Sequence, residues 1–117
     1  LFKASELQAK GLEYGKITDI SIKTIGTGNP LLGYDGLVIS MKMVNEDSLT
    51  TLHKNTVETY YSITSTTTGW LNIKLQYPFT WDGVSDLIVE FCYSKQADNS
   101  KDILVECTDM GYKCNAY

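Results

Sequence analysis

Apolar and polar residues alternate one for one through much of this chain, and a period of two restricts those stretches to strands. In Leu71-Asn72-Ile73-Lys74-Leu75-Gln76-Tyr77 every second side chain is apolar. Successive side chains of a strand point to opposite faces, so such a run gives one face to a core and one to water. The same alternation sets Ile20 and Ile22 against Asp19, Ser21 and Lys23. It sets Leu37, Ile39, Met41 and Met43 against Val38, Ser40, Lys42 and Val44, and Val57, Thr59, Tyr61 and Ile63 against Glu58, Tyr60 and Ser62. Leu87–Tyr93 is dense in apolar residues, as a central strand is, and Ile103–Cys107 reads as the last strand. The abundant Thr, Ile and Val and the eight Tyr suit a pleated, half-buried surface.

Turn chemistry separates these runs. Gly26-Thr27-Gly28-Asn29-Pro30, Asn45-Glu46-Asp47-Ser48 and Trp81-Asp82-Gly83 are loop-forming by composition, and Gln96–Asp102 is polar. Pro78 is expected to close the strand before it, since proline cannot donate to a ladder. One short helix is predicted near the start. Ser5 is its expected N-cap, Gln8 completes a capping box, and Gly11 is the stop. A helix of one to two turns is not stable alone, so it must pack through Leu7 and Leu12.

About six strands at short spacing, with no helix-length pattern between them, predict an all-β fold. The expected architecture is an antiparallel β-sandwich with one short N-terminal helix, in a single domain over residues 1–117. The expected core is Ile20, Ile22, Leu37, Ile39, Met41, Leu71, Ile73, Leu75, Val89 and Phe91. The chain opens at Leu1-Phe2-Lys3 without a leader or an initiator Met, so the expectation is a mature or excised piece of something longer.

The net charge is −4, and all ten basic residues are Lys. Without Arg the chain lacks the bidentate fork used on phosphate and guanine, which argues against nucleic acid as a partner. No apolar run approaches the ~18 residues a membrane helix needs, so membrane insertion is not expected.

Candidate chemistry is sparse. The one His, His53, has no partner marked by spacing and reads as a loop residue rather than a catalytic base. Cys92, Cys107 and Cys114 lack metal-ligand spacing. A Cys107–Cys114 disulfide with Cys92 reduced and buried is one reading, and three reduced thiols is the other. Asp98 and Asp102 place oxygens at alternate positions of a loop, and Asp82 and Asp86 flank Gly83. Either loop could contribute to a Ca²⁺ site, though neither alone supplies six to eight oxygens. Solubilising turns are the plainer reading. Tyr60 and Trp81, with Trp70 and the other Tyr residues, are candidates for a sugar-stacking platform. Tyr60 has the parity of an outward side chain, whereas Trp81 lies in a turn where a structural role competes.

Three pieces also carry a family likeness: ASELQAKGLEYGKITDISIKTIGTG (residues 4–28), LVISMKMVNEDSLTTL (37–52) and TGWLNIKLQYPFTWDGVSDLIVEFCYS (68–94). The third is the most specific, with Gly69-Trp70, an alternating strand, Pro78-Phe79-Thr80-Trp81-Asp82-Gly83, and a strand ending in Glu90-Phe91-Cys92. In order and spacing they resemble a jelly-roll-like β-sandwich module of secreted and surface proteins of Bacteroidetes-type bacteria, often exported by the type IX route. The likeness covers about four-fifths of the chain and is weak after Lys95. Members usually have a strand before the short helix, of which only Leu1-Phe2 stands here. The resemblance implies an extracellular or cell-surface location and a non-catalytic role in adhesion or glycan binding. The alternative is a structural subunit that self-associates into a filament through sheet edges.

Overall fold

A computed structural model of the chain describes residues 1–25, 38–51, 57–60, 69–92, 104–106 and 108–114. Helix α1 (Ala4–Ala9) precedes strands β1 (Gly15–Ile25), β2 (Val38–Val44), β3 (Val57–Tyr60), β4 (Gly69–Trp81), β5 (Asp86–Cys92) and β6 (Leu104–Val105). They form two antiparallel sheets, ordered β4-β1-β6 and β3-β2-β5. The mostly β reading therefore holds, as does the short N-terminal helix.

The alternation sets the burial. Ile39 and Met41 of β2, Ile73, Leu75, Phe79 and Trp81 of β4, Leu87 of β5 and Ala4 of α1 make one buried cluster fed by both sheets. Each fully buried large aliphatic side chain contributes about 1.5–3 kcal/mol relative to leaving it in water. Ile20, Ile22, Leu71 and Val89 pack against the cluster while staying half-buried. Phe91 departs from the expectation: it is exposed, although it stands across the ladder from the buried Ile39. Leu37 lies outside the described residues.

Pro78 does not end β4. The ladder with β1 is intact at Asp19↔Lys74 and again at Ile17↔Phe79, with the register broken between. Thr18 alone therefore faces Leu75, Gln76, Tyr77 and Pro78, a bulge in which proline has no ladder bond to lose. Tyr77 is turned out to solvent there, and Phe79 and Trp81 return to the core.

The turn after Trp81 is built from side chains. Asp82 Oδ1 accepts the Val84 and Ser85 amide N–H groups at 3.0 and 2.8 Å, and Oδ2 accepts the Ser85 hydroxyl at 2.6 Å. These bonds, the hydroxyl's first, hold the Asp82 carboxyl below the usual range. Gly83 sits at φ 80 beside Tyr14, where an added Cβ would stand 3.1 Å from the Tyr14 nitrogen. Gly111, at φ 71, has open space in the same position. Gly83→Ala should therefore cost more than Gly111→Ala, which carries only the left-handed penalty of about 1–2 kcal/mol. Urea unfolding midpoints of the two variants measure this, and equal losses would remove the Tyr14 contact as a cause.

Helix α1 is capped from outside its own segment. Lys3, not Ser5, is the N-cap residue, and its backbone N–H donates to Glu6 Oε2 at 3.0 Å. The Ala4 N–H donates to Asp86 Oδ1 at 2.8 Å, so an acid from the start of β5 satisfies a helix donor. At the other end Gly11 N–H reaches Gln8 O and Leu12 N–H reaches Leu7 O, with Gly11 at φ 87. That is a Schellman closure, as Gly11 predicts. Leu7 packs on the core, while Leu12 stays exposed.

The tail folds back on the start of the chain. Leu1, Leu49 and Ile88 form a second buried cluster, with Val44 and Tyr112 against it. Leu1 N donates to Cys114 O at 2.6 Å, and Leu49 N–H donates to Lys113 O at 2.8 Å. Phe2 and Leu87 exchange both backbone bonds, at 2.8 and 2.9 Å, on the side of β5 away from β2.

Candidate functional site

Trp81 is not available to a ligand. It is 0 % exposed, and its indole N–H donates to Ser85 O at 2.8 Å. Its place as a sugar-stacking residue is thereby corrected: Pro78 only interrupts β4, so Trp81 keeps the inward parity of Ile73 and Leu75. Tyr60 ends β3, paired with Val38, and its side chain is outside what is described. His53, Asp98, Asp102 and Cys107 also lie outside the described residues.

Cys114 is half-buried with a free sulfur, and Cys107, its expected partner, lies outside the described residues. The Cys114 carbonyl ties the tail down through Leu1. Cys92 is exposed rather than buried, one residue beyond the exposed Phe91. The Asp82–Asp86 loop is not a cation site. Asp82 is spent on its own turn, and Asp86 faces the helix and Lys3. Among the described residues no three His, Cys, Asp or Glu side chains are grouped to hold a metal.

One cluster of titrating groups is assembled around Lys3. Its ammonium lies 3.0 Å from Asp86 Oδ2, bonds the Glu46 carbonyl, and sits 5.9 Å from the centre of the Tyr112 ring. The Tyr112 hydroxyl donates to Glu6 Oε2 at 2.8 Å. Burial first, then that acceptor and its charge, push the Tyr112 hydroxyl up to about 12, so it stays a donor at any physiological pH. Burial works against the charged form of Asp86, but the Ala4 N–H and the Lys3 ammonium outweigh it and hold the carboxyl below its ordinary value. These groups bond one another, and they join the chain's start, the helix and the tail. Their arrangement is that of a clamp.

The outer face of β4 and β1 is different in kind. Trp70, Asn72 and Lys74 share the outward parity of β4, and β1 sets Lys23, Ser21 and Asp19 opposite them in that order. Trp70 is 67 % exposed, although a strand tryptophan has every chance to bury itself. Beside it the Lys23 ammonium meets Glu106 at 2.6 Å. The Ser21 hydroxyl donates to Asn72 Oδ1 at 2.6 Å, which uses the oxygen of that amide and not its N–H donors. A platform aromatic beside an ion pair, a hydrogen-bonded polar pair, and Lys74 opposite Asp19 thus follow one another along the strands. The parity of Trp70 with Asn72, Lys74 and Gln76 is the sequence signal that marks it as outward.

Compared with family models, curated proteins and solved structures, the chain matches none.

Proposed function

We propose that this chain is a non-catalytic extracellular binding or adhesion module, a jelly-roll-like β-sandwich that meets its ligand on a sheet face. The observation that carries the reading is the exposure of Trp70 on the mostly polar outer face of β4 and β1. An exposed strand tryptophan presents a broad apolar ring with one polar N–H, a combination that recurs where proteins meet ligands. The shifted acid and phenol of the chain support the non-catalytic part, because both are bound into the Lys3 clamp rather than aimed at an open space. The likeness to secreted surface modules supports the extracellular part. The test is paired: the purified chain should hydrolyse no ester, peptide or glycoside above background, and should bind a cell-envelope or polysaccharide surface. Turnover that survives rigorous purification, or no binding to any such surface, would sink the reading.

A second reading, a filament subunit joined through sheet edges, has its own observation. Phe2 pairs with β5 only at Leu87. The backbone groups of Val89 and Phe91 on that same side have no partner among the described residues, so a strand from another copy could continue the row. Light scattering of the full protein that shows a strict monomer at high concentration would remove it.

A further inference from the structure

We propose that the Trp70 face is a subsite for an uncharged oligosaccharide, whose pyranose rings lie along the β4–β1 ladder. The inference rests on the binding-module reading and adds the site and the ligand class.

Charge decides the class. The described charges on the face are Lys16, Lys23 and Lys74 against Asp19 and Glu106. Lys23 is held by Glu106, and Lys74 stands directly opposite Asp19. The signs nearly balance, so the face offers little net field to recruit a phosphate, an acidic glycan or a charged peptide. What remains is one broad aromatic ring and a row of hydrogen-bonding side chains. A protein partner needs a larger apolar centre, typically within about 800 Å² per side. Among the side chains described on this face, Trp70 and Ile25 are the large exposed apolar ones. A pyranose with equatorial hydroxyls fits the mixture: its C–H face stacks on an indole while its hydroxyls reach sideways to polar groups.

Spacing decides the orientation. Residues two apart on a strand lie about 6.6 Å apart, so the Trp70 row, the Asn72–Ser21 row and the Lys74–Asp19 row step along the ladder in units of roughly one sugar ring. With a ring over Trp70, the next residue of the saccharide reaches the Asn72 amide, which Ser21 already orients through its oxygen. Donors fixed by a neighbour lose little freedom on binding, which favours affinity.

Affinity electrophoresis of the full chain tests this, using gels that contain neutral polysaccharides (β-glucan, xylan, galactomannan) or acidic ones (alginate, polygalacturonate). We expect retardation in at least one neutral gel, little changed by added salt. Trp70→Ala should weaken it roughly tenfold or more, Asn72→Ala by a smaller factor, and Phe91→Ala, on the other sheet, not at all. In Trp70→Ala the one remaining tryptophan is the buried Trp81, whose unshifted emission shows that the fold is intact. Retardation only in acidic gels, salt-sensitive binding, or no retardation in any gel would overturn the saccharide class. Neutral binding that Trp70→Ala leaves unchanged would overturn the site while the module reading stands. Binding to no envelope or polysaccharide surface at all would sink the module reading as well.

Discussion

Trp81→Ala should remove about 3–5 kcal/mol of folding stability, a large part of what a domain of this size has. The side chain is fully buried between residues of both sheets, so truncation leaves a cavity that the flanking strands cannot close. It also strips the Ser85 carbonyl of the indole N–H, and with it one of the bonds that hold the turn over the core. Trp81→Phe separates the two effects: it keeps most of the apolar bulk and loses only the donor, for about 1–3 kcal/mol. Trp70→Ala, on the outer face, should stay within about 0.5 kcal/mol of the parent. Urea unfolding followed by circular dichroism gives all three. A Trp81→Ala loss no larger than that of Trp70→Ala would mean that Trp81 does not close the core.

The two tryptophans show what a sequence pattern reveals and where it stops. On β4 the inward residues are Leu71, Ile73, Leu75, Phe79 and Trp81, all of one parity, and Trp70 has the other. Parity alone would have sorted them. Pro78 hid this, because a proline in an alternating run reads as the end of a strand. The bulge that accommodates it depends on β1 across the ladder, where Thr18 faces four residues, and nothing local to Pro78 signals that partner. Phe91 departs for a different reason. Its alternation is correct, and it lies across the ladder from the buried Ile39, but alternation gives the face a residue takes and not how fully that face is covered.

The ends of the chain were less legible still, because their partners are distant. Ser5 and Gln8 have the right types and spacing for a capping box, and a reading confined to the segment stops there. The structure uses Lys3 and Glu6 instead, because Asp86 of β5 already serves the first helical N–H. The tail is held by Tyr112 on Glu6 and by two backbone bonds to Leu1 and Leu49, contacts between positions more than sixty residues apart. Turn and strand chemistry is local and shows in a sequence. A clamp assembled by topology does not.

The clamp carries the second large expected effect. Asp86→Ala should cost about 2–4 kcal/mol, because it leaves the Ala4 N–H without its acceptor and the Lys3 ammonium without its carboxylate. Both side chains are mostly withdrawn from water, 21 % exposed for Lys3 and 13 % for Asp86, so solvent makes only a partial replacement. Asp86→Asn should lose less, since an amide oxygen still accepts from Ala4. The pH dependence follows from the depressed carboxyl. A group whose folded pKa lies below its unfolded value, near 3.9 for Asp, adds stability that is complete above the unfolded value. That stability disappears as pH falls through the folded one. The parent should therefore lose stability below about pH 4, and Asp86→Ala should lose less over the same range, so that the two curves converge. Asp82 is depressed as well and remains in the variant, so some acid sensitivity persists there. Unfolding free energies measured between pH 2 and pH 7, a range set around the carboxylate pKa values, test the point. Parallel curves would mean that Asp86 titrates alike in the folded and unfolded chain, and that its bonds to Ala4 and Lys3 contribute nothing that depends on its charge. A Lys3→Met, Asp86→Ala double-mutant cycle then isolates the ion pair from the helix cap: Lys3→Met alone should leave the Ala4 bond in place and remove only the smaller, charge-dependent part of the loss.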